Sequence, residues 1–263
     1  LDLSDGNVQT GFGGWGASSQ GQGSVLQLDA PITDFSEVAT AIITELETAT
    51  TKFDSDNEDA WNYGPSTQWD WTYPTEILLR INNQIPASNS ISMDFSNVKY
   101  GSLAVTSQSE LQLEGNVVFP GSVTLSALND ITQAEGAVVR AQQVDFVSTS
   151  GSVGVAGGPV QIDLDPSLPV DATAFQSIYL SSSDDFVIGQ IDASVGNSQR
   201  PLGNVELQSQ GDFIAGSTEA EITASSIDLQ AKSGSIGLQS APLTIQTQAF
   251  QIDTGSLVEG LLT

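Results

Sequence analysis

The sequence predicts an all-β chain wound as a right-handed, single-stranded parallel β-helix, preceded by a capping region that contains one amphipathic α-helix. Three observations carry this expectation. Apolar residues return in alternating pairs about every seven positions, as in Ile236 and Leu238, Leu243 and Ile245, and Phe250 and Ile252. The residues between them are Ser, Gln, Thr and Gly, with Pro242 inside the run, which suits turns between short strands and opposes a heptad helix. Three such steps make one turn of roughly 21 residues, near the lower edge of solenoid repeat periods.

The same step runs far upstream, through Leu103, Leu111, Val117, Val123, Ile131, Val138, Val144, Val153 and Val160. Several of these carry a partner two residues on, namely Val105, Leu113, Leu125, Phe146, Val155 and Ile162. Such pairs point two side chains of a strand to one side. The spacing predicts about eight coils between Leu103 and Leu257, a stack on the order of 39 Å long at ~4.8 Å per rung. Gly121, Gly136, Gly151, Gly211, Gly234 and Gly255 are expected at corners that need unusual backbone angles. Between Pro166 and Gly203 the spacing loosens, which predicts loops or longer coils. A β-sandwich is the alternative, but the step of seven has no obvious hairpin turns.

The first hundred residues differ. Residues 1–30 read as a glycine-rich arm, "GFGGWGASSQGQGS", followed by a first strand near Val25 to Leu28. Residues 31–96 read as a cap or insertion. There Phe35, Val38, Ala39, Ile42, Ile43, Leu46, Ala49 and Phe53 share one helical face, and Asp34 with Glu37 has the spacing of a capping box. Such a helix near one end would cover strand edges that a solenoid leaves open. The solenoid itself is assigned to residues 97–263.

Composition narrows the functions. The chain has 263 residues with 32 acidic and 6 basic ones, a formal net charge of −26. A surface of that sign repels phosphate backbones and anionic headgroups, so neither nucleic acid nor membrane insertion is expected. It suits saline or cation-rich surroundings, where screening relieves self-repulsion. No residue is histidine or cysteine, which removes Ser-His and Cys-His nucleophile systems, histidine zinc sites and disulfides.

Candidate sites fall in the cap and the arm. "FDSDNEDAWNYGPSTQWDWTYP" gathers Trp61, Tyr63, Trp69, Trp71 and Tyr73 as candidate ligand- or partner-binding aromatics, which stack on sugar rings. Asp54, Asp56, Glu58 and Asp59 in the same stretch are candidate calcium ligands, calcium being the one cofactor considered. The stretch is not an EF-hand loop, because Asp59 stands where that loop needs glycine and Pro65 where it needs glutamate. The alternative is that the tryptophans pack the helix onto the solenoid while the acids stay solvated. Phe12 and Trp15 are candidate anchors of a self-assembly arm, against a plain linker. No catalytic residue is assigned. Asp184 and Asp185 are adjacent, so on a strand they would point to opposite faces and not serve one site.

The Gly-Ser-branched corners and apolar pairs of "GSVTLSALNDITQAEGAVVRAQQVDFVSTSGSVGVAGGPVQIDL" resemble the repeats of filamentous-haemagglutinin-like adhesins, secreted right-handed β-helix proteins of bacteria. The similarity covers about Asn97 to Leu257. It implies a secreted, extracellular or cell-surface protein with an adhesive role, and the scattered basic residues, none in a catalytic cluster, predict that it is not an enzyme. The chain departs from the group in having no Asn-Pro-Asn-Gly secretion motif and in carrying the helix and acidic-aromatic loop. The expected function is therefore structural or adhesive, with copies of the chain pairing head to tail into a filament and cell-surface or matrix glycans as further candidate partners. The alternative is a carbohydrate-binding or carbohydrate-cleaving β-helix module.

Overall fold

Alternating apolar residues separated by three-residue corners commit the backbone to short strands, and a computed structural model shows how these stack. It describes residues 7–11, 25–29, 78–83, 89–94, 102–164, 168–194, 203–237 and 242–254. The strands are β1 (Asn7–Gly11), β2 (Val25–Asp29), β3 (Leu78–Asn83), β4 (Asn89–Asp94), β5 (Ser102–Ser107), β6 (Leu111–Val118), β7 (Ser122–Ala127), β8 (Ile131–Gln133) and β9 (Val139–Ala141). They continue as β10 (Gln143–Ser148), β11 (Val160–Leu164), β12 (Val170–Ala174), β13 (Ile178–Ser182), β14 (Phe186–Asp192), β15 (Asn204–Ser209), β16 (Phe213–Ala215), β17 (Glu221–Ala231) and β18 (Thr244–Thr254). No described residue is helical. The helix expected around Phe35 to Phe53 lies outside the described residues.

All strand pairings are parallel except β1 with β2, which run antiparallel. Between β3 and β17 each strand pairs with strands one coil away rather than with its sequence neighbours, which defines a parallel β-solenoid. One ladder runs β2, β3, β5, β7, β10, β12 and then into β14. Its rungs enter the segment assigned above to a cap: Leu79 of β3 pairs with Leu103 of β5. A second ladder joins β13, β15, the latter half of β17 and that of β18. The third face carries β6 on β9, β9 on β11, and Phe186 on Phe213 on Ile236.

The predicted period holds in the first coils. Leu103 faces Val123 and Val123 faces Val144, twenty and twenty-one residues on. Further along, Val144 faces Val170 and Ile191 faces Ile222, longer coils that absorb insertions. From Leu103 to Ile245 the described residues consequently make about six turns, where a constant period predicts about eight between Leu103 and Leu257.

Columns of stacked apolar side chains fill the interior. Leu103, Val123, Val144 and Val170 form one column and Val105, Leu125, Phe146 and Ala172 the next, all essentially inaccessible to solvent. Each fully buried aliphatic or aromatic side chain contributes about 1.5–3 kcal/mol relative to exposure. Phe186 and Phe213 stack on successive rungs, ring centres 5.5 Å apart. Two positions in the predicted register are corrected. Val139, not Val138, points inward, because the turn through Gly136 carries one residue more than the period allows. Val155 is 48% exposed, because it begins a tight hairpin closed by mutual backbone hydrogen bonds with Gly158.

The corners use a chemistry different from the one expected. Of the glycines predicted there, only Gly136 has a positive φ, +81°. Gly151, Gly211 and Gly234 serve clearance: a Cβ on Gly151 would strike Asp130, one on Gly211 the Asp185 carboxylate, and one on Gly234 the backbone of Gly211. Gly121 has no positive φ, and Gly255 is outside the described residues. Side-chain oxygens of one coil accept backbone N–H groups of the next. Ser152 N–H donates to Asp130 Oδ1 (2.7 Å), Ser177 N–H to Ser152 Oγ (3.3 Å) and Asn204 N–H to Ser177 Oγ (3.1 Å). At the following corner Asp212 N–H donates to Asp185 Oδ1 (2.7 Å) and Ser235 N–H to Asp212 Oδ1 (2.6 Å). These ladders satisfy amides that the strand pairing leaves free, as buried backbone groups require.

Candidate functional site

The residues singled out from sequence, namely Phe12, Trp15, Asp54, Asp56, Glu58, Asp59, Trp61, Tyr63, Trp69, Trp71 and Tyr73, all lie outside the described residues. Asp184 and Asp185 sit on the corner between β13 and β14 rather than within a strand. Asp185 spends its Oδ1 on the Asp212 amide, so the pair does corner work.

A groove lined by carboxylates and neutral polar groups forms on the described surface where coil length changes. β10 and β12 pair in register, which stacks Asp145 directly against Asp171 on the outer face. On the next coil β14 shifts register between the partners of Val170 and Ala172. This bulge brings Gly189 and Gln190 over Asp171: Gln190 N–H donates to Asp171 Oδ1 at 2.7 Å, and a Cβ at Gly189 would collide with the same carboxylate. Bulges re-aim a strand in this way next to functional positions. Pro169, Thr173, Ser217 and Glu219 complete the walls of a space of about 440 Å³.

Electrostatics set the two aspartates apart. Burial first, and then the Asp171 carboxylate, push the Asp145 carboxyl above the ordinary aspartate range. Asp171 accepts the backbone N–H of Gln190. A carboxyl disposed to hold a proton thus faces a carboxylate disposed to accept a hydrogen bond. Among the described residues no three His, Cys, Asp or Glu side chains gather into a cation site.

Sequence reasoning missed this groove because Asp145 and Asp171 are far apart in the chain and become neighbours only through coil stacking. The one signal was spacing. Each follows an inward-facing valine, in "VDF" and "VDA", so a ladder aligned on Val144 and Val170 would have paired them.

Fold and site together define the class, an all-β parallel solenoid with an acidic outer groove. Comparison with family models, with curated proteins and with solved structures finds no match. The adhesin resemblance is one of repeat pattern.

Proposed function

We propose that the chain is a non-enzymatic, secreted structural or adhesive β-solenoid whose copies assemble head to tail into an extracellular or cell-surface filament. The observation that carries this reading is the state of one apolar column at the last described rung. Ile191 and Ile222 are sealed from solvent, whereas Ile245, next in the same column, is only partly buried. Where a rung is left uncovered, a coil offers strand edge and core together, and a second copy stacked on it makes a heterologous contact that propagates. The filamentous-haemagglutinin-like repeat pattern agrees with such a rod, for which a right-handed coil is the strongly preferred hand of parallel crossovers.

Charge regulates this assembly. A formal charge of −26 per copy opposes association, and salt or bridging calcium relieves it. Electron microscopy of the purified chain at low salt, at high salt and with calcium tests the reading. Ordered filaments, lost in an Ile245→Asp variant that still folds, are the expected result; single particles under all three conditions overturn it.

The groove favours a second reading, a carbohydrate-binding module. Thr173, Gln190 and Ser217 supply neutral hydrogen-bonding groups beside three carboxylates, a set suited to hydroxyl-rich ligands. Binding on a glycan array that falls with Asp171→Asn supports this reading, and binding that falls only with Trp69→Ala and Trp71→Ala places the ligand on the aromatic segment.

A further inference from the structure

The outer row that contains Asp145 has an unusual make-up. Thr124 of β7 lies one rung below Asp145, and Asp171 lies one rung above. Adjacent rungs of a ladder are about 4.8 Å apart, close enough for an acid O–H to reach a carboxylate. The remaining packed elements contribute Gly189 and Gln190 from β14 and Ser217 and Glu219 from the turn before β17. The titratable groups lining the groove are therefore Asp145, Asp171 and Glu219, and no Lys or Arg is among its lining residues. At neutral pH nothing in the groove offsets like charge across the rung.

The structure also fixes which partner accepts. Gln190 N–H and the bare Gly189 Cα hold the Asp171 carboxylate in place, whereas the Asp145 carboxyl is held above the ordinary range by burial and by Asp171. The rung in question joins the coil that carries the Val155–Gly158 hairpin to the coil that carries the bulge.

We propose that Asp145 and Asp171 are an acid-tightened clamp between these two coils: Asp145 takes a proton from solvent as pH falls, and its O–H then donates to the Asp171 carboxylate, replacing repulsion across the rung with a hydrogen bond. The clamp acts within one copy and does not depend on the filament reading. Its sign follows from linkage. The folded chain holds this proton more tightly than the unfolded chain, so the contribution is fully present below the ordinary aspartate value of about 3.9 and is lost as pH rises through the higher Asp145 midpoint.

The test is a carboxyl carbon NMR titration of the full chain, combined with hydrogen-exchange protection of the Gln190 amide at both ends of the titration. In the wild type the Asp145 midpoint lies above the ordinary value and Gln190 gains protection as Asp145 protonates. Asp171→Asn moves the Asp145 midpoint down. Asp145→Asn, an amide of the same shape that donates at every pH, gives Gln190 a protection factor that no longer changes over that range. Asp184→Asn, which removes a charge on an exposed corner, keeps the wild-type behaviour. An Asp145 midpoint unmoved by Asp171→Asn, or Gln190 protection that responds to Asp184→Asn as strongly as to Asp145→Asn, overturns the clamp.

Discussion

The coils between Ser102 and Ser148 and those between Thr149 and Ala224 are built on the same interior but present different exteriors. In the first region the rungs advance by twenty and twenty-one residues, and the outer face is a plain row of Ala104, Thr124 and their neighbours. In the second, six residues from Gly154 to Pro159 stand opposite the single residue Tyr179, since Val153 pairs with Ile178 and Val160 with Leu180. The bulge at Gly189 follows on the next coil, and the groove lies beside it. Through all this the core residues stay buried. The lesson is that a solenoid holds its inward columns constant and accommodates length changes on the outside, so surface chemistry collects where the period breaks.

The largest effects are expected in the shared core. Phe213→Ala removes the stacked partner of Phe186 and is expected to cost about 3–5 kcal/mol; Leu125→Ala in the even coils is expected to cost about 2–5 kcal/mol. Because solenoids unfold as coupled neighbouring units, hydrogen exchange should show each loss concentrated in its own region. Uniform loss across both would mean that the two regions form one cooperative unit and that the contrast between them is confined to the surface.

A smaller effect is expected at the bulge. Gly189→Ala places a methyl group against the Asp171 carboxylate and displaces it from the Gln190 amide. The expected cost is about 1–3 kcal/mol, measured by denaturant unfolding. Wild-type stability in this variant would show that the bulge yields freely and that the glycine is not required by its neighbour.

The smallest belongs to the surface ion pair between the two regions. Arg140 Nε donates to Asp163 Oδ2 at 2.7 Å, and the two side chains are 56% and 31% exposed. Arg140→Gln is therefore expected to change stability by no more than about 1 kcal/mol, and less at high salt. A larger loss would show that this pair helps to lock the irregular coils onto the regular ones.

Much of the interior was legible in the sequence. Leu103, Leu111, Val117, Val123, Ile131, Val144, Val153 and Val160 all point inward as expected, because a side chain that alternates along a strand can face only the core or the solvent. The misses have local causes. Val138 gave way to Val139 and Val155 left the core where turns gained residues that apolar spacing does not register. Corner glycines were recognised as residues but for a different reason, since what Gly151, Gly211 and Gly234 avoid is the coil beneath them, and a contact of that kind has no trace in nearby sequence.

The sequence by itself determined that this chain coils, with which residues inward and with a strongly acidic exterior, because burial pattern and charge are local properties of each strand and of the composition. Tertiary structure alone decided which outward residues meet. Asp145 faces Asp171, Asp130 caps Ser152 and Arg140 pairs with Asp163 because the lengths of intervening coils set the register between rungs. Register is a sum over every turn in between, so one added residue in any corner changes which side chains become neighbours.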